Sequence, residues 1–223
     1  MSSEISARRS QTRDRLCDAA VSVFARQGVG AASVEELCEA AGFTRGAFYS
    51  NFASKDELCL ALLDRQCELQ LAAARHTIAT LEISAAAGPE AIVDALPRAV
   101  DVYLASQRAS REWILADAEM RLYAARDASL RESYREFDKT MAQVFGTLIE
   151  DAAARFGHEL TLPAIQVTNV VHAVYSDQCI RSLIDDAPES HAETRELLTS
   201  ALLGFVRPAR GAGDPVPGEP ERG

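Results

Sequence analysis

The segment FTRGAFYSNFASKDEL, residues 43–58, holds the residues best suited to chemistry. At about 100° per residue, Arg45, Gly46, Tyr49 and Ser50 spread over one side of a short helical pattern, and Phe48 and Phe52 fall on the other. A small, polar, cationic outer face above an aromatic inner face suits recognition. Such a helix, preceded by a second helix and a tight turn, can enter a DNA major groove.

Catalytic arrangements do not emerge from the same inspection. Helical bundles that hold paired metals use Glu-x-x-His motifs. Here the residues three before His76, His158, His172 and His191 are Ala73, Arg155, Asn169 and Pro188. There is no G-x-x-x-x-G-K phosphate loop and no G-x-S-x-G elbow. Cys17, Cys38, Cys59, Cys67 and Cys179 form no C-x-x-C pair and no metal-ligand spacing, which suits reduced, intracellular thiols. The expectation is therefore no enzyme, no metal and no cofactor.

Three helix signals position the recognition face. Ser33 and Glu36 form an S-x-x-E capping box, followed by Val34, Leu37, Cys38 and Ala41 as one apolar stripe. Gly42 stops that helix, Phe43 turns back into the core, and Thr44 caps the next. Ser54 and Glu57 form a second capping box and open a third helix. In this order the stretch GVGAASVEELCEAAGFTRGAFYSNFASKDEL resembles the DNA-binding segment of the tetracycline-repressor (TetR) family of bacterial regulators. The likeness runs from about Thr12 to Leu63, and RDRLCDAAVSVFARQG resembles that family's first helix.

The resemblance implies an all-α fold of about nine helices. An N-terminal three-helix helix-turn-helix DNA-binding domain, residues 1–55, would precede a C-terminal helical effector-binding and dimerisation domain, residues 56–206. It also assigns roles. Arg45 and Gly46 would face base edges, the arginine by a bidentate bond to guanine and the glycine by letting the helix sit close. Tyr49, Asn51 and Lys55 match phosphate-contacting positions, Ser33 and Thr44 would add bonds to the DNA backbone, and Ser50 lies on the same face. The implied partners are double-stranded DNA with a palindromic operator, a small organic effector and a second copy of the chain. The protein would act as a repressor that its effector releases. A regulator controlled by a protein partner is the alternative, and a helical-bundle enzyme is a distant third.

Charge agrees with this division. The 223-residue chain carries a formal charge of −10, yet residues 1–55 hold 7 basic and 6 acidic side chains. The rest holds 16 against 27, and such a surplus of acid would be repelled by phosphate. No apolar run approaches the roughly 18 residues of a membrane span, and the polar start is not a secretory signal, so the expected location is cytoplasmic.

In chain order, a first helix from about Ala7 to Gln27 buries Leu16, Ala20, Val23 and Phe24, stops at Gly28, and carries Arg8, Arg9, Arg13 and Arg15 as a solvated face or as phosphate contacts. The third capping signal leads into a long amphipathic helix reaching about Ile83, a lever between the domains. Gly88 and Pro89 break the chain. Pro97 implies a kinked or a split helix. Further helices follow Ser110 and Asp127, the latter ending at Gly157, and two more span about Leu162–Ile184 and Pro188–Val206. Their apolar residues wrap further round than one buried face requires, which points to a dimer interface. No alternating strand pattern is present, and residues 207–223, rich in Pro and Gly, read as disordered. Trp113, Met120, Tyr123, Phe145, His172 and Tyr175 combine apolar bulk with hydrogen-bonding tips, the composition of an effector pocket.

Overall fold

The computed structural model describes residues 2–80, 91–106, 110–186 and 191–209. Among these residues the chain forms nine helices and two short strands. The helices are α1 (Ser2–Ala31), α2 (Val34–Ala41), α3 (Arg45–Tyr49), α4 (Lys55–Thr80), α5 (Ala91–Ser106), α6 (Arg111–Arg126), α7 (Ala128–Arg155), α8 (Ala164–Ile184) and α9 (His191–Gly204). Strands β1 (His158–Leu160) and β2 (Val206–Pro208) pair antiparallel, with His158 opposite Pro208.

Local chemistry sets the helix ends. The Ser33 hydroxyl accepts from the Glu36 amide at 3.2 Å, and the Glu36 carboxylate accepts from the Ser33 amide at 2.8 Å, completing the capping box. Gly42 takes the left-handed conformation (φ 70°) that lets the Phe43 amide bond back to Cys38 O at 2.8 Å. Thr44 caps α3 through the Ala47 amide. The second box is offset by one residue: Ser54 accepts from the Glu57 amide, while Glu57 accepts from the amide of Ala53. Gly28 (φ 80°, ψ 160°) interrupts α1 where the sequence places its stop, and the chain re-forms one turn to Ala31.

Two clusters make the core. Leu16, Phe24, Leu37, Phe48, Phe52, Leu58 and Leu62 join α1–α4 and continue without a break into Met120 and Ala116 of α6 and Leu130 of α7. The boundary expected near residue 55 is therefore not a boundary of the core. A second cluster, around Val100, Leu104 and Leu198, joins α5, α8 and α9.

Several expectations change in detail. The strand pair was not anticipated, because three residues are too few to leave an alternating pattern; it ties the end of α7 to the segment after α9, and it takes Arg207 and Pro208 out of the expected disordered tail. Pro97 lies inside a single helix, α5, which is not split. Helix α1 begins at Ser2, before the expected Ala7, and α8 begins at Ala164 behind Pro163. The expected end of the lever at Ile83, the break at Gly88–Pro89, the start at Pro188 and the tail beyond Ala209 lie outside the described residues.

Candidate nucleic-acid interface and effector cavity

The outer face of α3 is open. Arg45 and Tyr49 are exposed, Tyr49 at 51%, with the guanidinium 5.9 Å from the tyrosine ring centroid. Arg45 pairs with Glu35 of α2. A Cβ placed on Gly46 would meet only Thr44 Oγ1, at 3.8 Å, so nothing inside the protein requires glycine there. Phe48 is fully buried and meets Tyr49 edge-on and Phe52 obliquely, which fixes the face of α3 that turns outward.

The other expected DNA-binding residues divide by what they already hold. Ser33 and Thr44 serve as caps, with their side chains at the exposed helix starts. Ser50 is exposed and donates to Ala47 O at 2.9 Å. Asn51, expected at a phosphate, is instead 8% exposed and donates to the same carbonyl at 2.8 Å, while its Oδ1 is buried without a partner. Lys55, also expected at a phosphate, directs its ammonium to the carbonyls of Val29 (2.5 Å), Ala32 (2.9 Å) and, more distantly, Gly30 (3.4 Å). It acts in this structure as a C-terminal cap on α1.

Arg13 and Arg15, read from sequence as a solvated face or phosphate contacts, do a similar job. Arg13 donates to Asn51 O at 2.5 Å and lies 4.2 Å from the Phe52 ring centroid; Arg15 donates to Ala41 O at 2.8 Å and lies 4.6 Å from that of Phe43. Both clamp the ends of the helix-turn-helix onto α1. Arg9 is exposed, and the side chain of Arg8 lies outside the described residues.

Beyond this unit, α4–α9 line a partly open cavity of about 290 Å³. Trp113, Phe145, His172 and Tyr175 line it. Met120 and Tyr123 do not. Met120 is fully buried in the core shared with the helix-turn-helix, and Tyr123 sits on another side of α6 against Gly30 and Lys55. The cavity wall also holds residues that sequence reading passed over: Gln66 from α4, Tyr103 from α5, Arg121 from α6, and Tyr134 and Asp138 from α7. The available signal was Asp117–Arg121, an i,i+4 pair of opposite charges on an otherwise apolar helix face.

Four of the polar groups, Asp117, Arg121, His172 and Ser176, form one cluster. Arg121 donates to Asp117 at 3.0 Å and to Ser176 at 3.2 Å, and it contacts His172 Nε2. His172 lines the cavity and keeps much of its surface exposed. Burial and the Arg121 charge push it down to about 4, so the imidazole is neutral at pH 7 and accepts from Arg121. Burial raises the Asp117 carboxyl despite its arginine partner.

Residues 16–62 match the model for bacterial regulatory proteins of the tetR family. The helix-turn-helix segment is thus of the TetR type. Its N-terminal part is 42% identical over 72 residues to the HTH-type transcriptional regulator SrpR of Pseudomonas putida, covering 32% of this chain and 34% of SrpR. It is 44% identical over 48 residues to AcrR of Shigella flexneri, covering 22% of each chain. The matches thus span about a third or less of these two relatives.

The likeness in fold extends further. The structure resembles the fatty acid degradation regulator FadR from Bacillus halodurans (TM-score 0.68, 17% identity, 86% of this chain and 95% of that one). It also resembles a putative transcriptional regulator from Saccharomonospora viridis solved in complex with choline (TM-score 0.61, 17% identity, 89% and 99%). The all-α architecture with an N-terminal helix-turn-helix is therefore shared with these structures over most of the chain.

Proposed function

We propose that this protein is a ligand-responsive, sequence-specific DNA-binding transcriptional regulator, a homodimer whose effector releases it from a palindromic operator. The observation that carries the reading is α3 itself. It presents Arg45, Gly46 and Tyr49 outward, and Gly46 has no internal reason to be glycine, so the helix gives up stability to admit a surface from outside. The role as repressor rests on the family resemblance. Two-fold symmetric operators suit a dimer, and exposed apolar residues on α8 and α9, among them Val170, Ile184 and Leu197, support pairing through those helices. The cavity between α4 and α9, lined by Trp113, Phe145, His172 and Tyr175, is the proposed effector site.

Fluorescence anisotropy with DNA from the region upstream of the protein's own gene tests this. Binding should be saturable, should resist competition by random DNA, and should map to an inverted repeat. Equal affinity for random DNA at physiological salt would overturn the reading. Small organic compounds that leave the protein–DNA complex intact, together with a protein from the same cells that dissolves it, would favour control by a protein partner.

A further inference from the structure

Gln66 is buried to 95% against the cavity, and neither its amide nitrogen nor its amide oxygen has a hydrogen-bond partner. A buried carboxamide with both ends unpaired is costly, and this one faces open space able to receive a ligand. It also stands at a mechanical junction. Leu58, Leu62 and Gln66 follow one another at i,i+4 along α4; the two leucines pack in the helix-turn-helix core, and the next position meets the cavity.

Charge narrows what Gln66 can meet. Asp117, Arg121 and Asp138 are the charged residues lining the cavity, and His172 is neutral, so the wall carries a net −1. The guanidinium of Arg121 is already engaged by Asp117, His172 and Ser176. An anionic head group would have to displace Asp117 to reach it. A cation meets the opposite situation: two carboxylates, the aromatic rings of Trp113, Tyr103 and Tyr175, and an amide oxygen awaiting a donor. Cys67, the neighbour of Gln66 on α4, lines the same cavity as Asp117 and Asp138.

We propose that the cavity takes a lipophilic amine in its protonated form, the ammonium donating to Gln66 Oε1 and balancing the surplus of Asp117 and Asp138, with Gln66 the residue through which α4 responds. This rests on the cavity being the effector site. The class of ligand and the role of Gln66 are the additions.

Decylamine, decan-1-ol and decanoate form a matched probe series for calorimetry and Trp113 fluorescence on the full-length protein without DNA. Decylamine should bind at least about tenfold more tightly than decanoate, and Gln66→Met should weaken decylamine by about tenfold, the worth of a hydrogen bond to a charged group. Because the variant removes an unpaired amide, its ligand-free form should unfold at a higher temperature, which also shows that it folds. Asp138→Asn should narrow the gap between amine and carboxylate. Decanoate binding as tightly as decylamine, or a Gln66→Met variant with unchanged decylamine affinity, overturns the assignment and leaves the cavity reading standing. Absence of any heat or Trp113 response to all three probes overturns both.

Discussion

The ammonium of Lys55 lies 5.4 Å from the centroid of the Tyr123 ring while donating to the carbonyls that end α1. Lys55 is the first residue of α4 and Tyr123 belongs to α6, so one cation joins the first helix, the lever and the second half of the molecule. Lys55→Met keeps the stem and removes the charge, leaving Val29 O and Ala32 O without their donor. The variant should lose about 1–3 kcal/mol of stability, and Tyr123→Leu should lose about 0.5–2 kcal/mol through the lost cation–π contact. Urea unfolding checks both. If Lys55→Met keeps full stability and only weakens DNA binding, the phosphate role takes precedence over the clamp.

Arg45 and Gly46 separate specificity from folding. The Arg45–Glu35 pair is exposed, so Arg45→Ala should change stability by less than about 1 kcal/mol. On the true operator it should cost about 1–3 kcal/mol per half-site, with a smaller effect on random DNA. Gly46→Ala should act in opposite directions on the two properties. With only Thr44 Oγ1 near its Cβ, the alanine should stabilise α3 by up to about 1 kcal/mol, yet it should weaken operator binding by holding the helix away from the bases. Thermal unfolding and anisotropy titrations, run side by side, decide the matter. A Gly46→Ala variant with full operator affinity would remove glycine from the interface.

What sequence could and could not reveal follows from the range of each interaction. The Ser33–Glu36 box, the Gly42 stop and the Thr44 cap are closed by residues within five positions, so their types in order announce them. Lys55, Arg13 and Arg15 bond to carbonyls 23 or more positions away, and a carbonyl leaves no trace in residue type. Helix α6 shows a different limit. Trp113, Asp117 and Arg121 face the cavity at i,i+4 spacing, while Ala116, Met120 and Ala124 pack on the helix-turn-helix. Apolar residues lie on both sides, so periodicity cannot say which side meets a ligand. Met120 and Tyr123, on the helix-turn-helix side, therefore share the composition of the pocket residues without lining the pocket. In sequence Gln66 is one more polar residue on a long helix, and only the fold sets its unpaired amide against the cavity.

His172 gives a pH signature. Its native pKa lies near 4, below the 6.5 of an unperturbed histidine, so the unfolded chain takes up the proton first as pH falls. Stability should decline on acidification from about pH 6.5 and the decline from this group should end below about 4. Asp117 works the other way, because its native carboxyl is raised and acid relieves a penalty present at neutral pH. His172→Gln should remove the histidine contribution and flatten the fall in unfolding midpoint between pH 7 and pH 5. Parallel curves for the two proteins over that range would show that the imidazole protonates as readily in the native state as in the unfolded one.

Helices α8 and α9 supply the remaining prediction. Val170 and Ile184 are fourteen residues apart on α8, two heptads, and so lie on nearly the same face; Ile184 is 75% exposed. Leu197 of α9 is 42% exposed, although Leu198 beside it is fully buried in the second core cluster. A monomer gains nothing by presenting these residues to water, whereas an isologous contact buries each of them twice, once from each copy. Ile184→Glu combined with Leu197→Glu would place four carboxylates in such an interface. The double variant should sediment as a monomer at micromolar concentration while its helical signal and unfolding midpoint stay close to those of the parent, since neither side chain contributes to the described core clusters. Two recognition helices must engage one palindrome together, so operator affinity should fall steeply even though α3 is untouched. A dimeric double variant would place the subunit contact on another face; a monomeric one with full operator affinity would show that a single copy is enough to read the site.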